Sequence, residues 1–218
     1  SFPFRIIGLY DAHADMENVL KRLQAFLGED IFLRTHVEVL EDQDWARAWM
    51  KDFYPMKFGS RLWVCPSGTE SPDPDAVNLF LDPGLGFGTG THPTTSLCLE
   101  WLERQDLSGL EVIDYGCGSG ILSIAAAKLG ARQVWAVDND PLALRATEEN
   151  LRRNQVHPVV KAVSPDILFE IRPEIRADLL ISNILANVLI FLAPYFSRQI
   201  RTGGKIVLSG LLQDQETS

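Results

Sequence analysis

From about Leu107 to Ser209 the chain alternates short apolar runs with segments of helical period, and few folds accommodate that rhythm. The apolar runs at 111–115, 133–138, 157–163, 177–182 and 205–209 read as strands. Between them, 119–129 reads as a helix stopped by Gly130, 141–154 as a helix with Pro141 in its first turn, and 185–200 as a third. Runs this apolar must be covered on both faces, and strand–helix alternation makes the strands parallel. The expected fold class is α/β, a Rossmann-like doubly wound sheet with helices on both faces.

The part before Leu107 has a different character. An opening run at 2–10 reads as a strand. Met16, Val19, Leu20, Leu23 and Phe26-Leu27 then give a helix that stops at Gly28, and 31–40 reads as a second strand. Together they make half of a small α+β domain. In 41–54, Trp45, Trp49 and Phe53 recur every four residues, the spacing of one helix face, and core packing explains that stripe better than partner docking. Strands are expected at 61–65 and 77–81, with a loop carrying three prolines at 66–75 between them.

The strand at 111–115 runs directly into Gly116-Cys117-Gly118-Ser119-Gly120 and then a helix. Glycines here let the backbone turn tightly and approach a ligand at the carboxyl edge of a parallel sheet. Asp138 closes the next strand, where its carboxylate can accept hydrogen bonds from both hydroxyls of a ribose. A dinucleotide loop would carry a third glycine at position 121, which is Ile121, and Asp114 before the first glycine would repel a pyrophosphate. S-adenosyl-L-methionine has no phosphate and carries an ammonium and a sulfonium. The acidic loop therefore favours a methyltransferase over a dehydrogenase. The run at 177–182 leads to Asn183-Ile184-Leu185, and the Asn183 side-chain oxygen, with a neighbouring carbonyl, can aim an amine lone pair at a methyl group. The bland alternative is that Asn183 caps the following helix.

Charge and cysteine usage narrow the class further. With 20 Lys+Arg against 29 Asp+Glu, the net charge of −9 opposes a duplex-binding surface and suits a basic partner. The three cysteines, Cys65, Cys98 and Cys117, form no metal-ligand cluster and fit a reducing cytoplasm, with no metal expected. No apolar run approaches the roughly 20 residues of a membrane-spanning helix. The expected protein is a cytoplasmic monomer.

The stretch Asp82-Pro83-Gly84-Leu85-Gly86-Phe87-Gly88-Thr89-Gly90-Thr91-His92-Pro93-Thr94-Thr95 is the most unusual of the chain. Phe87 is suited to cover an adenosine or a sulfonium, Thr94 or Thr95 to cap the helix that follows, and His92 either to relay a proton or to fix the loop. This stretch, with Asp44-Trp45, Trp49-Met50, Pro55-Met56, Phe58-Gly59 and Arg61-Leu62-Trp63 before it, resembles bacterial ribosomal protein methyltransferases of the PrmA type. Asp114, Gly116-Cys117-Gly118-Ser119-Gly120, Asp138-Asn139-Asp140-Pro141 and Asn183-Ile184-Leu185 complete the resemblance.

The resemblance implies transfer of methyl groups from S-adenosyl-L-methionine to lysine ε-amines and the N-terminal α-amine of a large-subunit ribosomal protein. It implies cofactor contacts at Thr95, Gly116, Asp138 and Asn183. The candidate cofactor contacts further include Phe87, Asp114, Gly118 and Asn139, and the candidate catalytic residue is Asn183. The resemblance further implies a partial substrate-recognition domain over 1–40, a linker helix over 41–58 and a methyltransferase domain over 59–218 that stops before its last strands. Two other readings share parts of the pattern. A nucleic-acid amino-methyltransferase uses similar logic at the fourth strand but commonly has proline and aromatic residues after the Asn. A fragment that binds cofactor without turnover is the other.

Overall fold

The computed structural model describes residues 7–8, 10–11, 13–27, 35–38, 54–81 and 92–211. The chain divides into two compact units, Ser1–Asp44 and Trp45–Ser218. In the first, helix α1 spans Met16–Leu27. Asp15 starts it, its carboxylate accepting from the Asn18 amide at 3.1 Å, and Glu17 pairs with Lys21 one turn on. Met16, Val19, Leu20, Leu23 and Leu27 are half-buried along one face, as the periodicity requires, whereas Phe26 points away and is 87% exposed. The expected strands at 2–10 and 31–40 and the helix at 41–54 fall mainly outside the described residues.

In the second unit a three-stranded sheet precedes a five-stranded one. Strand β1 (Met56–Phe58) pairs antiparallel with β2 (Leu62–Pro66), which pairs parallel with β3 (Val77–Leu81). Helix α2 (Pro93–Glu103) leads to the larger sheet. Its elements are β4 (Glu111–Tyr115), α3 (Ile121–Lys128), β5 (Gln133–Val137), α4 (Pro141–Arg153) and β6 (Val160–Val163). Then come α5 (Pro165–Ile171), β7 (Ala177–Asn183), α6 (Ala186–Gln199) and β8 (Ile200–Ser209). The strand order is β6-β5-β4-β7-β8 and every pairing is parallel.

The alternation within each strand explains the two-sided burial. Val112, Ala136, Leu179 and Ile181 face a core shared with the small sheet, α2 and α3, while Ile113, Trp135, Val137 and Leu180 face a second core under α5 and α6. Helix α3 is packed on nearly every side, with Ile121 through Ala126 all buried.

Two expectations need correction, and one helix lies outside them. The linker helix does not reach residue 58, because Met56–Phe58 is a strand and Pro55 disfavours helical backbone at the residue before it. The last helix ends at Gln199, and Ile200 begins β8, opposite Ala177. Helix α5 stands where no element is expected, although Ser164 before Pro165 and Asp166 is a sound helix start; the Ser164 hydroxyl accepts from the Ile167 amide at 3.4 Å.

Chain connections leave β4 in opposite directions across the sheet, so the order reverses between β4 and β7. Ligands of open parallel sheets sit at the carboxyl ends flanking such a reversal. Ile113, fully buried on the central strand, should set much of the unit's stability. Ile113→Ala should lower the unfolding free energy by about 2–5 kcal/mol in urea denaturation.

Candidate active site

The carboxyl ends of β4 and β7 bring the glycine loop against Asn183. Gly116 takes φ +81°, a left-handed backbone favouring glycine, and a Cβ there would run into Cγ2 of Ile184. The amides of Gly116 and Cys117 both donate to the Val137 carbonyl, at 2.7 and 3.0 Å, which folds the loop toward the end of β5. Asp138 follows directly. Its Oδ2 accepts from the Gly118 amide at 3.0 Å and its Oδ1 from the Asp140 amide at 3.0 Å. Each oxygen keeps acceptor capacity for a further donor. Asn139 beside it is exposed, and Asp140 caps α4 through the Leu142 amide at 2.9 Å.

Asn183 ends β7 and does not cap α6, whose N-cap is Leu185 without a side-chain hydrogen bond. Its Nδ2 donates to Oγ1 of Thr95 at 3.1 Å, and Thr95 is only 2% exposed in the first turn of α2. That bond orients the amide and leaves Oδ1 as acceptor, with no donor to it among the described residues. Ser182 donates to the Tyr115 carbonyl at 2.7 Å, tying β7 to β4, and Ser209 donates to the Thr94 carbonyl at 3.2 Å, tying β8 to α2.

The start of α2 differs from expectation. Neither Thr94 nor Thr95 is its cap; His92 is, with Pro93 in the first turn, where its fixed φ and missing N–H suit the helix. His92 Nδ1 lies 2.6 Å from the Thr94 hydroxyl and accepts from the Thr94 amide at 3.4 Å. This geometry assigns His92 to fixing the helix start. Phe87 lies outside the described residues.

Asp114 sits in β4 below the loop and is 1% exposed. Oδ2 accepts from the Ser123 hydroxyl at 2.6 Å, while Oδ1 is buried with no hydrogen-bond partner among the described residues. Burial pushes its carboxyl up to about 7, partly opposed by Ser123 and reinforced by the Asp138 charge. A buried carboxylate with one orphaned oxygen fits a cationic group brought in by a ligand. An open hollow of about 620 Å³ beside Thr69, Asn78, Phe80 and Lys128 involves none of these residues.

Ser123, Ser182 and the buried polar residues Thr147, Asn150 and Asn154 of and after α4 also join this region, and residue type alone does not single them out. The last three stand at i, i+3 and i+7, a spacing that puts them on one helix face and could have drawn attention.

A glycine loop at the switch point, an acidic residue after the second strand and an Asn ending the fourth define a methyltransferase domain of Rossmann-like fold. The family model for "Ribosomal protein L11 methyltransferase (PrmA)" matches residues 3–218, and the chain belongs to that family. The ribosomal protein L11 methyltransferase of Photobacterium profundum is 51% identical over 212 residues, covering 96% of this chain and 70% of the relative. That of Vibrio campbellii is 52% identical over 213 residues, with the same coverage. The solved ribosomal protein L11 methylase of Lactobacillus delbrueckii subsp. bulgaricus superposes with a TM-score of 0.61 at 32% identity, covering 72% of this chain and 80% of that one.

The raised Asp114 makes a pH prediction. In the unfolded chain this carboxyl ionises near 3.9, in the native one at about 7, so native structure binds the extra proton between those values. Its stabilising contribution is full below pH 4 and is lost as pH rises through 7. The stability of wild type relative to Asp114→Asn should therefore fall steadily from pH 4 to pH 7 in urea titrations. A pH-independent difference would contradict the assignment.

Proposed function

We propose that this chain methylates the lysine ε-amines and the N-terminal α-amine of the large-subunit ribosomal protein L11, using S-adenosyl-L-methionine. The observation that carries the reading is the Asn183 amide, oriented by Thr95 at the switch point beside the glycine loop. Asp138 would hold the ribose hydroxyls, the backbone of Gly116 and Gly118 would pass close to the cofactor, and Asp114 would offer its orphaned oxygen to the cofactor's ammonium. Asn139, exposed next to Asp138, would meet the adenine side, and Phe87 would cover the cofactor. When bound, the cofactor supplies a methyl group activated by a sulfonium.

The chain's own work is to present the amine. A lysine amine with an ordinary pKa near 10.4 needs roughly 4–5 kcal/mol to be neutral at pH 7. Asn183 Oδ1 accepts one N–H and so aligns the lone pair, which accelerates transfer by orientation. No side-chain base is needed, because the proton that the nitrogen must shed leaves to water. The Ser1–Asp44 unit contributes to substrate recognition, and the net charge of −9 suits a lysine-rich target in the cytoplasm. Among the described residues no helix is long and apolar enough to cross a membrane.

Incubation with radiolabelled cofactor and dissociated large ribosomal subunits, which hold both protein and RNA, tests the reading; label should enter one large-subunit protein, and labelling of RNA instead would overturn it. Asn183→Ala should lower turnover about 10²-fold while calorimetry shows nearly unchanged cofactor affinity. Asp138→Ala should weaken cofactor binding about 10- to 100-fold, the loss expected for hydrogen bonds to a charged acceptor.

A further inference from the structure

We infer that Thr147 and Asn150, braced by Asn154, form a row of positioning residues that holds the glycine loop in its ligand-ready shape. The inference rests on the methyltransferase reading above and assigns roles to residues outside the site it describes. All three are polar and buried, at 0%, 1% and 5% exposure, on the face of α4 and its C-cap that meets α3 and β3. Buried polar side chains in such a place need a use, because each unpaired one would be costly.

Their hydrogen bonds are specific. Thr147 Oγ1 donates to the Gly118 carbonyl at 2.9 Å, and Asn150 Nδ2 donates to the Ser119 carbonyl at 2.9 Å. Asn154 reads both backbone groups of Phe80, accepting from its amide at 2.9 Å and donating to its carbonyl at 2.6 Å. Asn154 Nδ2 also donates to the Asn150 carbonyl at 2.9 Å, which links the rungs. The Thr147 methyl fills the space beside Gly120, where a Cβ would lie 2.9 Å from Cγ2.

One stretch of chain, from Asp138 to Asn154, therefore grips Gly118 at both ends. Asp138 accepts its N–H and Thr147 donates to its C=O. With the next carbonyl held by Asn150, two successive peptide planes are set before any ligand arrives. Asn154 does the same for β3, whose last residue, Leu81, precedes the glycine- and threonine-rich stretch. A loop ordered in advance spares its ligand the cost of ordering it, so the row should act on cofactor affinity and leave the chemical step alone.

Thr147→Val keeps the shape and removes the hydroxyl; Thr147→Ser keeps the hydroxyl and removes the methyl. Calorimetry with S-adenosylhomocysteine should show Kd raised about fivefold to tenfold for Thr147→Val and within twofold of wild type for Thr147→Ser. The KM for cofactor should rise in proportion, with kcat and the KM for protein substrate within twofold. In the free protein, amide hydrogen exchange at Gly118 and Gly120 should quicken in Thr147→Val only. Wild-type affinity and exchange in Thr147→Val, or equal losses in both variants, would overturn the positioning role. A wild-type chain that binds no S-adenosylhomocysteine would overturn the methyltransferase reading, and this inference with it. If Thr147→Val fails to fold, Thr147→Ala removes the same hydroxyl with less bulk, and the same comparison with Thr147→Ser decides.

Discussion

The approach of Gly116 to Ile184 governs the layout of this domain's working edge. The space where a Gly116 side chain would lie is occupied by the Ile184 methyl, so the loop after β4 and the turn after β7 can meet directly. Ile184 is held from its other side as well, because Gly210, past the end of β8, lies against its carbonyl where a Cβ would not fit. Asn183, one residue before Ile184, is thereby set beside the glycine loop, and Thr95 reaches it from the start of α2. Four separate parts of the chain converge, and a side chain at either glycine would push them apart.

That convergence carries an electrostatic cost. Asp114 lies buried under the loop with one oxygen unpartnered, and its carboxyl is pushed up to about 7 by burial. Ser123 offsets part of this, its hydroxyl donating to Oδ2 at 2.6 Å. A carboxylate in this condition is poised for a cation, and a ligand that brought one would relieve the burial penalty as it bound. Asp138 differs, since it is half-buried with a backbone amide on each oxygen, and so remains ready to accept hydroxyls.

Much of the fold was legible along the chain. The five strands of the large sheet were found because two-sided burial makes parallel strands continuous apolar runs. Helix α4 was bounded well by Pro141 at its start. Short α5 and three-residue β1 are not legible there, because so few residues show no periodicity. The glycine loop, Asp138 and Asn183 were visible as residue types at strand ends. Thr147, Asn150 and Asn154 were not, because their partners are backbone carbonyls and amides up to 74 residues away. Residue type points to a threonine at the start of α2, since hydroxyls are the commoner caps, whereas His92 caps it through a ring nitrogen.

The sequence by itself determined the parallel sheet, the glycine turn after its first strand and the family, because each depends on local pattern: strand period, glycine spacing and acidic side chains in register. The tertiary structure alone decided which of those residues meet. The reversal of strand order between β4 and β7 puts Asn183 beside Gly116, and the Thr95 hydroxyl 88 positions earlier orients its amide. Contacts across such separations are set by sheet topology and packing, which no local window of the chain contains.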